Sequence, residues 1–242
     1  MEQVDVAVKQ EQACPKCKGM RYLRADVPYG HPHFGKAIPC TCTQVQQKEK
    51  LRQRLYALSD IQIFSQSTFE NFSLAAPGVK EAYKTVVEYA HCVNGWLLLV
   101  GPNGCGKTHL AAAVANYLLE VSNTTVLFLV VPDLLDYLRS AFSPTSVKEN
   151  FEQRFTIMRE ADVLVLDDLG AQVSSPWANE KLFQLLNTRY NRRMPTVITA
   201  NPQGLRELDE RIRSRLTDDA LVTSVHFDHA IDYRPRRQKT QH

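Results

Sequence analysis

The sequence predicts an α/β fold, a parallel sheet flanked by helices, behind a small cysteine-bearing N-terminal module. Short apolar runs rich in β-branched residues, such as Thr124–Val131 and Pro195–Asn201, alternate with segments of helical periodicity. Such runs are typical of strands that are buried on both faces. A glycine-rich loop follows one of these runs and a pair of aspartates ends another. The alternation favours a parallel sheet with crossover helices.

Length and composition limit the class of protein. The chain has 242 residues, 44% of them hydrophobic, enough for one large domain with a small module. Its net charge of +3 neither requires nor excludes a nucleic-acid partner. No apolar run approaches the roughly 20 residues that span a bilayer, and the first residues lack a secretion signal. We therefore expect a cytoplasmic protein with no membrane partner, whose cysteines are thiols or metal ligands.

The loop after Leu97–Val100 carries the most specific motif, a match to G-x-x-x-x-G-K-[ST]. Its glycines let backbone N–H groups approach phosphate oxygens, its lysine reaches the β- and γ-phosphates, and Thr108 offers a hydroxyl to Mg²⁺. The helix predicted by HLAAAVANYLL points its positive end at the anion. The predicted nucleotide-binding residues are Gly101, Pro102, Asn103, Gly104, Cys105, Gly106, Lys107, Thr108 and His109.

Two other apolar runs end in polar residues. Ala161–Leu169 is predicted to be a buried strand that ends in Asp167 and Asp168. The first carboxylate would hold Mg²⁺ and the second would polarise an attacking water, although two acids also suit an ordinary turn. Asn201 ends the next strand, where open α/β sheets bind their ligands. It is a candidate to orient the lytic water or contact the γ-phosphate, with an Asn-Pro turn as the alternative.

Four cysteines form two close pairs near the N-terminus, with 22 residues between the pairs. The cysteines are Cys14, Cys17, Cys40 and Cys42. This spacing predicts a tetrahedral Zn²⁺ site, and four protein ligands would make it structural. Buried free thiols or a redox C-x-x-C are the alternatives, and His31 or His33 could replace one cysteine.

The order of these motifs resembles that of AAA+ ATPases, and more closely that of DnaC/DnaI-type bacterial helicase loaders and their IstB-type transposition relatives. The segments that carry the resemblance are TFENF (68–72), GPNGCGKTHLA (101–111), VPDLLDYLR (131–139), ADVLVLDDLGAQ (161–172), ITAN (198–201) and ERIRSRL (210–216). The implied fold is the AAA+ ASCE core of P-loop NTPases. We accordingly divide the chain into a zinc-binding module at 1–43, a helical linker at 44–65 and an AAA+ ATPase domain at 66–242.

The resemblance also implies roles for individual residues. Second-acid catalysis falls on Asp168, sensor I on Asn201, and the arginine finger that acts on ATP in a neighbouring subunit on Arg215, with Arg211 as an assisting contact. The helical insertion at 143–160 occupies the place where initiator-type AAA+ proteins carry a helix near single-stranded DNA. A solvated helix face is the usual meaning of such scattered charges. The cysteine module resembles, more loosely, modules that bind the replicative helicase.

The first hypothesis is therefore a homo-oligomeric, ATP-dependent loader of the replicative helicase onto single-stranded DNA, with ATP, Mg²⁺ and Zn²⁺ as cofactors. An IstB-type helper that binds DNA and recruits a transposase is the second. A third is a zinc-dependent adaptor with a non-hydrolysing ATP site. A small-molecule P-loop kinase is disfavoured, because the arginines cluster near the C-terminus instead of in an acceptor lid.

Overall fold

The protein is described here by a computed structural model of residues 13–140, 155–172, 175–227 and 232. The strands are β1 (Tyr22–Arg24), β2 (Ala37–Pro39), β3 (Trp96–Val100), β4 (Val126–Val130), β5 (Val163–Leu169), β6 (Thr196–Ala200) and β7 (Val222–His226). The helices are α1 (Thr41–Leu58), α2 (Lys80–His91), α3 (Lys107–Val121), α4 (Val131–Ser140), α5 (Pro176–Asn191), α6 (Pro202–Glu207) and α7 (Glu210–Leu216). A 3₁₀ helix covers Asp60–Phe64, and residues 155–160 are also helical.

Five strands form one parallel sheet in the order β4-β5-β6-β3-β7. Strands β3 and β4 follow each other in the chain, yet β5 and β6 lie between them. Such a change in strand order opens a crevice at the carboxyl ends of the strands, where ligands of α/β sheets bind. The loop after β3 and the polar ends of β5 and β6 therefore meet at one edge. The predicted α/β class, a parallel sheet flanked by helices, is confirmed.

The core lies around β3 and α3. All five residues of β3 are buried, and a continuous stretch of α3, residues 110–115, is buried with them. Small alanine side chains let α3 lie close to the sheet on one side and to α2 on the other. This packing fixes the start of α3, and hence the preceding loop, against the central strand.

The edge strand β4 is protected by the segment before α2. The Ser59 hydroxyl both accepts from the Phe128 N–H and donates to its carbonyl, and Asp60 accepts from the Val130 N–H. These bonds satisfy backbone groups that an open edge would expose. The segment continues into the residues that line the candidate site.

The arginine-rich stretch Leu205–Leu216 is divided between α6 and α7, because Asp209 accepts from the Arg211 N–H and caps a new helix. Of the insertion predicted at 143–160, only residues 155–160 lie within the described residues, with Phe155 and Met158 buried.

The chain divides into two compact units, 1–53 and 54–242, and the division falls within α1. The predicted boundaries at 43 and 65 remain an expectation. In the first unit, β1 and β2 pair as an antiparallel hairpin. Among the helices of the described residues, none combines the length and the hydropathy that a membrane span requires.

Candidate functional site

The glycine-rich loop between β3 and α3 is built around Lys107. Its Nζ donates to the carbonyl oxygens of Gly101 (2.9 Å) and Pro102 (2.8 Å), and the side chain is buried. The loop therefore encloses a cation at the N-terminus of a 15-residue helix, whose first N–H groups have no intrahelical acceptors. Positive charge and unpaired donors at one point suit a phosphate group.

Gly106 shows why the loop requires glycine. Its φ is +102°, and a Cβ atom there would lie 2.7 Å from the Phe72 ring. Phe72 in turn stacks on Tyr83 and meets the His109 ring edge-on. His109 is also bonded through Nε2 to the Thr68 carbonyl at 2.8 Å. The segment 68–72 is thus fastened to the loop and to the first turn of α3.

A β-bulge at the end of β5 sets the two aspartates. Leu166 is opposite Ile198 and Leu169 is opposite Ala200, so Asp167 and Asp168 together face the single residue Thr199. In a regular strand the two carboxylates would point to opposite faces. At this bulge the pattern is interrupted by one extra residue, and Asp168 takes a left-handed φ of +57°. Asp167 is buried and Asp168 is exposed at the cavity.

Thr199 is a site residue that sequence reasoning missed. Its buried hydroxyl donates to Asp167 Oδ1 at 2.7 Å and accepts from the Asp168 N–H at 2.9 Å. One side chain thereby orients the first carboxylate and secures the bulge that carries the second. The available signal was its position, two residues before Asn201 in the neighbouring strand.

The surroundings of Asp167 combine desolvation with opposing charge. Burial raises the pKa of Asp167, while hydrogen bonds from Thr199 and Thr108 and the charge of Lys107 lower it. The Asp168 charge raises it further. A bound cation stabilises the ionised form of a carboxylate that is desolvated and lies next to a second carboxylate. Its oxygens and the Thr108 hydroxyl are ligands of the kind Mg²⁺ takes, so these two residues fit a magnesium site.

Asn201 lies at the same edge. Its Oδ1 accepts from the Gly204 N–H at 2.6 Å and caps α6. The amide Nδ2 remains as a donor, and the residue lines the cavity. Gly170 and Gly204 touch backbone to backbone, since a Cβ on Gly170 would be 2.6 Å from the Gly204 carbonyl carbon. This approach brings the ends of β5 and β6 together.

These elements enclose a cavity of about 950 Å³. Ligand cavities commonly measure roughly 300–1,000 Å³, so a nucleotide-sized molecule fits. Polar lining comes from the loop residues Asn103 to His109 with Asp168 and Asn201, and apolar lining from Phe64, Phe72, Ala76 and Val79. The predicted loop, acids and asparagine are thus brought together, whereas Gly101 and Pro102 contribute through their carbonyls to Lys107.

Arg211 and Arg215 lie elsewhere, on α7 beside α5. Arg215 bonds Asn187 Oδ1 through both Nε (3.1 Å) and Nη2 (2.6 Å), and its guanidinium lies 4.8 Å from the Phe183 ring centroid. Arg211 binds both Asp209 oxygens and Glu180, which raises the Arg211 pKa. Neither arginine lines the cavity of its own chain. Their guanidinium groups are held in defined positions at the surface.

The four N-terminal cysteines form one cluster. Their sulfur atoms all lie within 4.8 Å of one another, with Cys14 and Cys40 at 3.9 Å and Cys17 and Cys42 at 3.4 Å. A tetrahedral zinc with bonds of about 2.3 Å implies sulfur separations near 3.8 Å, so the set fits Zn²⁺. His31 and His33 are outside the cluster.

The protonation of these thiols is strongly perturbed. Backbone hydrogen bonds at Cys17 and Lys16 lower the pKa of Cys14 to about 6. The Cys17 thiol, with burial, raises the pKa of Cys42 to about 12. Thiols this close cannot all ionise unless a cation balances their charge. The cluster could therefore bind zinc, as the sequence predicted.

Comparison with known proteins agrees with this architecture. The replicative helicase loader DnaC of Escherichia coli K12 is 26% identical over 186 residues, which cover 75% of this chain and 74% of the relative. The crystal structure of the DnaC helicase loader matches with a TM-score of 0.59 at 23% identity, over 67% of this chain and 97% of that one. The structure of the replication initiator DnaA bound to AMPPCP and single-stranded DNA matches with a TM-score of 0.59 at 21% identity. The match covers 73% of this chain and 55% of that one.

These structural likenesses show the predicted fold, a parallel sheet flanked by helices. The model of the family described as IstB-like ATP binding protein matches residues 45–235, which is most of the chain. The resemblance inferred from the motifs is thereby confirmed. With the loop, the paired acids and the sheet order in place, the protein belongs to the family of IstB-like ATP-binding proteins, an AAA+ class related to DNA replication ATPases.

Proposed function

We propose that this protein loads the replicative helicase onto single-stranded DNA, with ATP binding and hydrolysis as an assembly switch. The observation that carries the proposal is the convergence of Lys107, Thr108, Asp167, Asp168 and Asn201 at one edge of the sheet. Likeness to a replicative helicase loader over 75% of the chain supports the choice of partner.

Nucleotide binding is the task of the loop and the cavity. Lys107 and the N–H groups of residues 103–106 bind the β- and γ-phosphates of ATP. Thr108 and Asp167 hold Mg²⁺, which neutralises charge on the phosphates when it is bound. The apolar lining around Phe72 suits the base.

Hydrolysis is the task of the residues at the strand ends. Asp168 polarises the attacking water, and Asn201 positions that water with the amide donor left after its capping bond. Arg215 acts on the γ-phosphate in a neighbouring copy, with Arg211 beside it, so that the catalytic set is complete only in a homo-oligomer. The bonds to Asn187 and the contact with a phenyl ring preorganise Arg215 for this role.

The two units of the chain bind different partners. The four cysteines hold a structural Zn²⁺, and the module they stabilise docks on the replicative helicase. The AAA+ domain grips single-stranded DNA, with the insertion at 143–160 as the contact carried over from the resemblance. Residues 143–154 of that insertion lie outside the described residues.

The deciding experiment measures ATP-dependent loading of the replicative helicase onto circular single-stranded DNA. Lys107→Ala is expected to abolish loading and ATP binding, because it removes the only charged side chain of the loop motif. Lys84→Ala, at an exposed lysine of α2, is the matched control and should load normally. If the Lys107→Ala variant still loads the helicase, ATP does not act as the assembly switch. If the parent protein does not hydrolyse ATP when helicase and DNA are both present, an adaptor with a non-hydrolysing ATP site is favoured.

A transposition helper is the second candidate, and the matched family model favours it. In that case the protein would coat duplex DNA and recruit a transposase. Capture of purified helicase and of purified transposase by the full chain, with ATP, separates the two functions. Binding of the transposase alone would replace the loader proposal.

A further inference from the structure

The N-terminal unit holds an excess of positive charge at its surface. Residues 13–43 carry five cations and one carboxylate, more positive excess than the +3 of the whole chain. The cations are Lys16, Lys18, Arg21, Arg24 and Lys36, and all five are exposed. A zinc ion on four thiolates would add negative charge only inside the cluster. The exterior of the unit therefore favours a polyanion.

Aromatic side chains of the same unit are exposed instead of buried. Tyr29 is 91% exposed, Tyr22 53% and Phe34 40%. The Tyr29 and Phe34 rings meet edge-on at 5.3 Å, and the Arg24 guanidinium lies 5.6 Å from the Phe34 centroid. Tyr22 and Arg24 are two residues apart in β1 and so share one face of the hairpin. We call Tyr22, Arg24, Tyr29 and Phe34 the hairpin face.

The combination of exposed rings and cations selects the kind of partner. Exposed aromatic rings stack on unpaired bases, while cations pair with the backbone phosphates. Duplex DNA offers no exposed base faces to such rings. An apolar protein surface would leave Arg24 and its neighbouring cations without partners. Single-stranded nucleic acid satisfies both groups.

We propose that the hairpin face is a binding site for single-stranded nucleic acid, with Tyr29 and Phe34 stacking on bases and Arg24 contacting phosphate. This goes beyond the loader function, which assigns DNA to the AAA+ domain and a protein partner to the module. The site operates without ATP, since none of its residues belongs to the nucleotide cavity.

The test measures fluorescence anisotropy of a labelled oligothymidylate with the full zinc-loaded chain and no nucleotide. The double variant Tyr29→Ala, Phe34→Ala is expected to weaken binding about tenfold or more, since each stacked base contributes strongly. Tyr56→Ala, at a 49% exposed tyrosine of α1, is the matched control and should bind like the parent. Zinc content and melting temperature confirm that each variant is folded.

A second measurement tests the electrostatic part. Arg24→Gln is expected to reduce the slope of log affinity against log salt by about 0.7, the value for one phosphate contact on a single strand. Unchanged oligothymidylate affinity in the double variant overturns the proposal. So does loss of helicase capture with oligonucleotide affinity retained, because the face would then be a protein-docking surface. ATP hydrolysis, measured separately, reports on the loader function and is expected to stay at the parent rate.

Discussion

Replacing Thr199 by valine isolates the contribution of a single hydroxyl to the candidate catalytic centre. Valine has nearly the same shape, so the change removes two hydrogen bonds without opening a cavity. One is the donation to Asp167 at 2.7 Å, and the other is the acceptance from the Asp168 N–H at 2.9 Å. A hydrogen bond to a charged group contributes about 1.5–3 kcal/mol. If that amount is lost from the transition state, ATP turnover falls about 10- to 150-fold.

The pH dependence gives this prediction a second readout. Burial raises the pKa of Asp167 and the Thr199 hydroxyl lowers it, so Thr199→Val raises that pKa further. A protonated Asp167 cannot hold Mg²⁺, and the acid limb of the pH–rate profile therefore moves to higher pH. The stability of the metal-free protein also depends on the raised pKa of Asp167. Because the folded pKa lies above the unfolded value, stability falls as pH rises between the two, and the variant widens that window.

The assay compares turnover, Mg²⁺ dependence and pH profile of Thr199→Val with those of Thr199→Ser. Serine keeps the hydroxyl and is expected to retain most of the turnover. Melting temperatures establish that both variants are folded at the assay temperature. Equal rates and equal profiles for the two variants would refute the positioning role of Thr199.

Three further changes have distinct outcomes. Cys17→Ser is expected to abolish the binding of one zinc per chain, as read out by mass spectrometry, and to lower the melting temperature of the protein. Cys92→Ser, at an exposed cysteine outside the cluster, should leave both unchanged. Arg215→Ala should leave ATP affinity intact and abolish stimulated hydrolysis. Arg213→Ala, at an exposed neighbour, is the control and should hydrolyse ATP normally. Equal hydrolysis rates in the two variants would contradict the assignment of Arg215 as the arginine finger. Arg189→Ala should lower the free energy of unfolding by about 3 kcal/mol or more, measured by denaturant unfolding. The reason is that the fully buried guanidinium donates to several carbonyls that would lose their donor. A smaller loss would mean that water replaces the guanidinium as the donor.

Much of the fold could be read from local pattern. The four apolar runs predicted as strands, Leu97–Val100, Thr124–Val131, Ala161–Leu169 and Pro195–Asn201, all contain strands of the sheet, since runs buried on both faces carry their own signal. The break between α6 and α7 was harder to predict from the sequence, because the free energy of a helix cap at Asp209 differs little from that of a continuous helix. Arg189 is a similar case. A charged residue on an amphipathic helix suggests solvent, and only the packed structure buries it among backbone carbonyls.

The candidate site divides in the same way. The motif residues Lys107 and Asp167 were identifiable because their chemistry requires fixed residue types at a strand end. The function of Thr199 depends on register, since it faces both aspartates only because one extra residue is inserted into β5. The hairpin face was likewise not predictable, because spacing alone does not reveal which aromatic residues of the cysteine-bearing module remain outside its core.

The sequence by itself determined the α/β class, the phosphate-binding loop, the paired acids and the four clustered cysteines. Each depends on residue type and short spacing, which survive without knowledge of the fold. Only the tertiary structure decided that Asp167 is buried while Asp168 reaches the cavity, that Thr199 bonds both, and that Arg215 is held away from the cavity of its own chain. These are properties of strand register and helix packing, which arise from contacts between residues far apart in the chain.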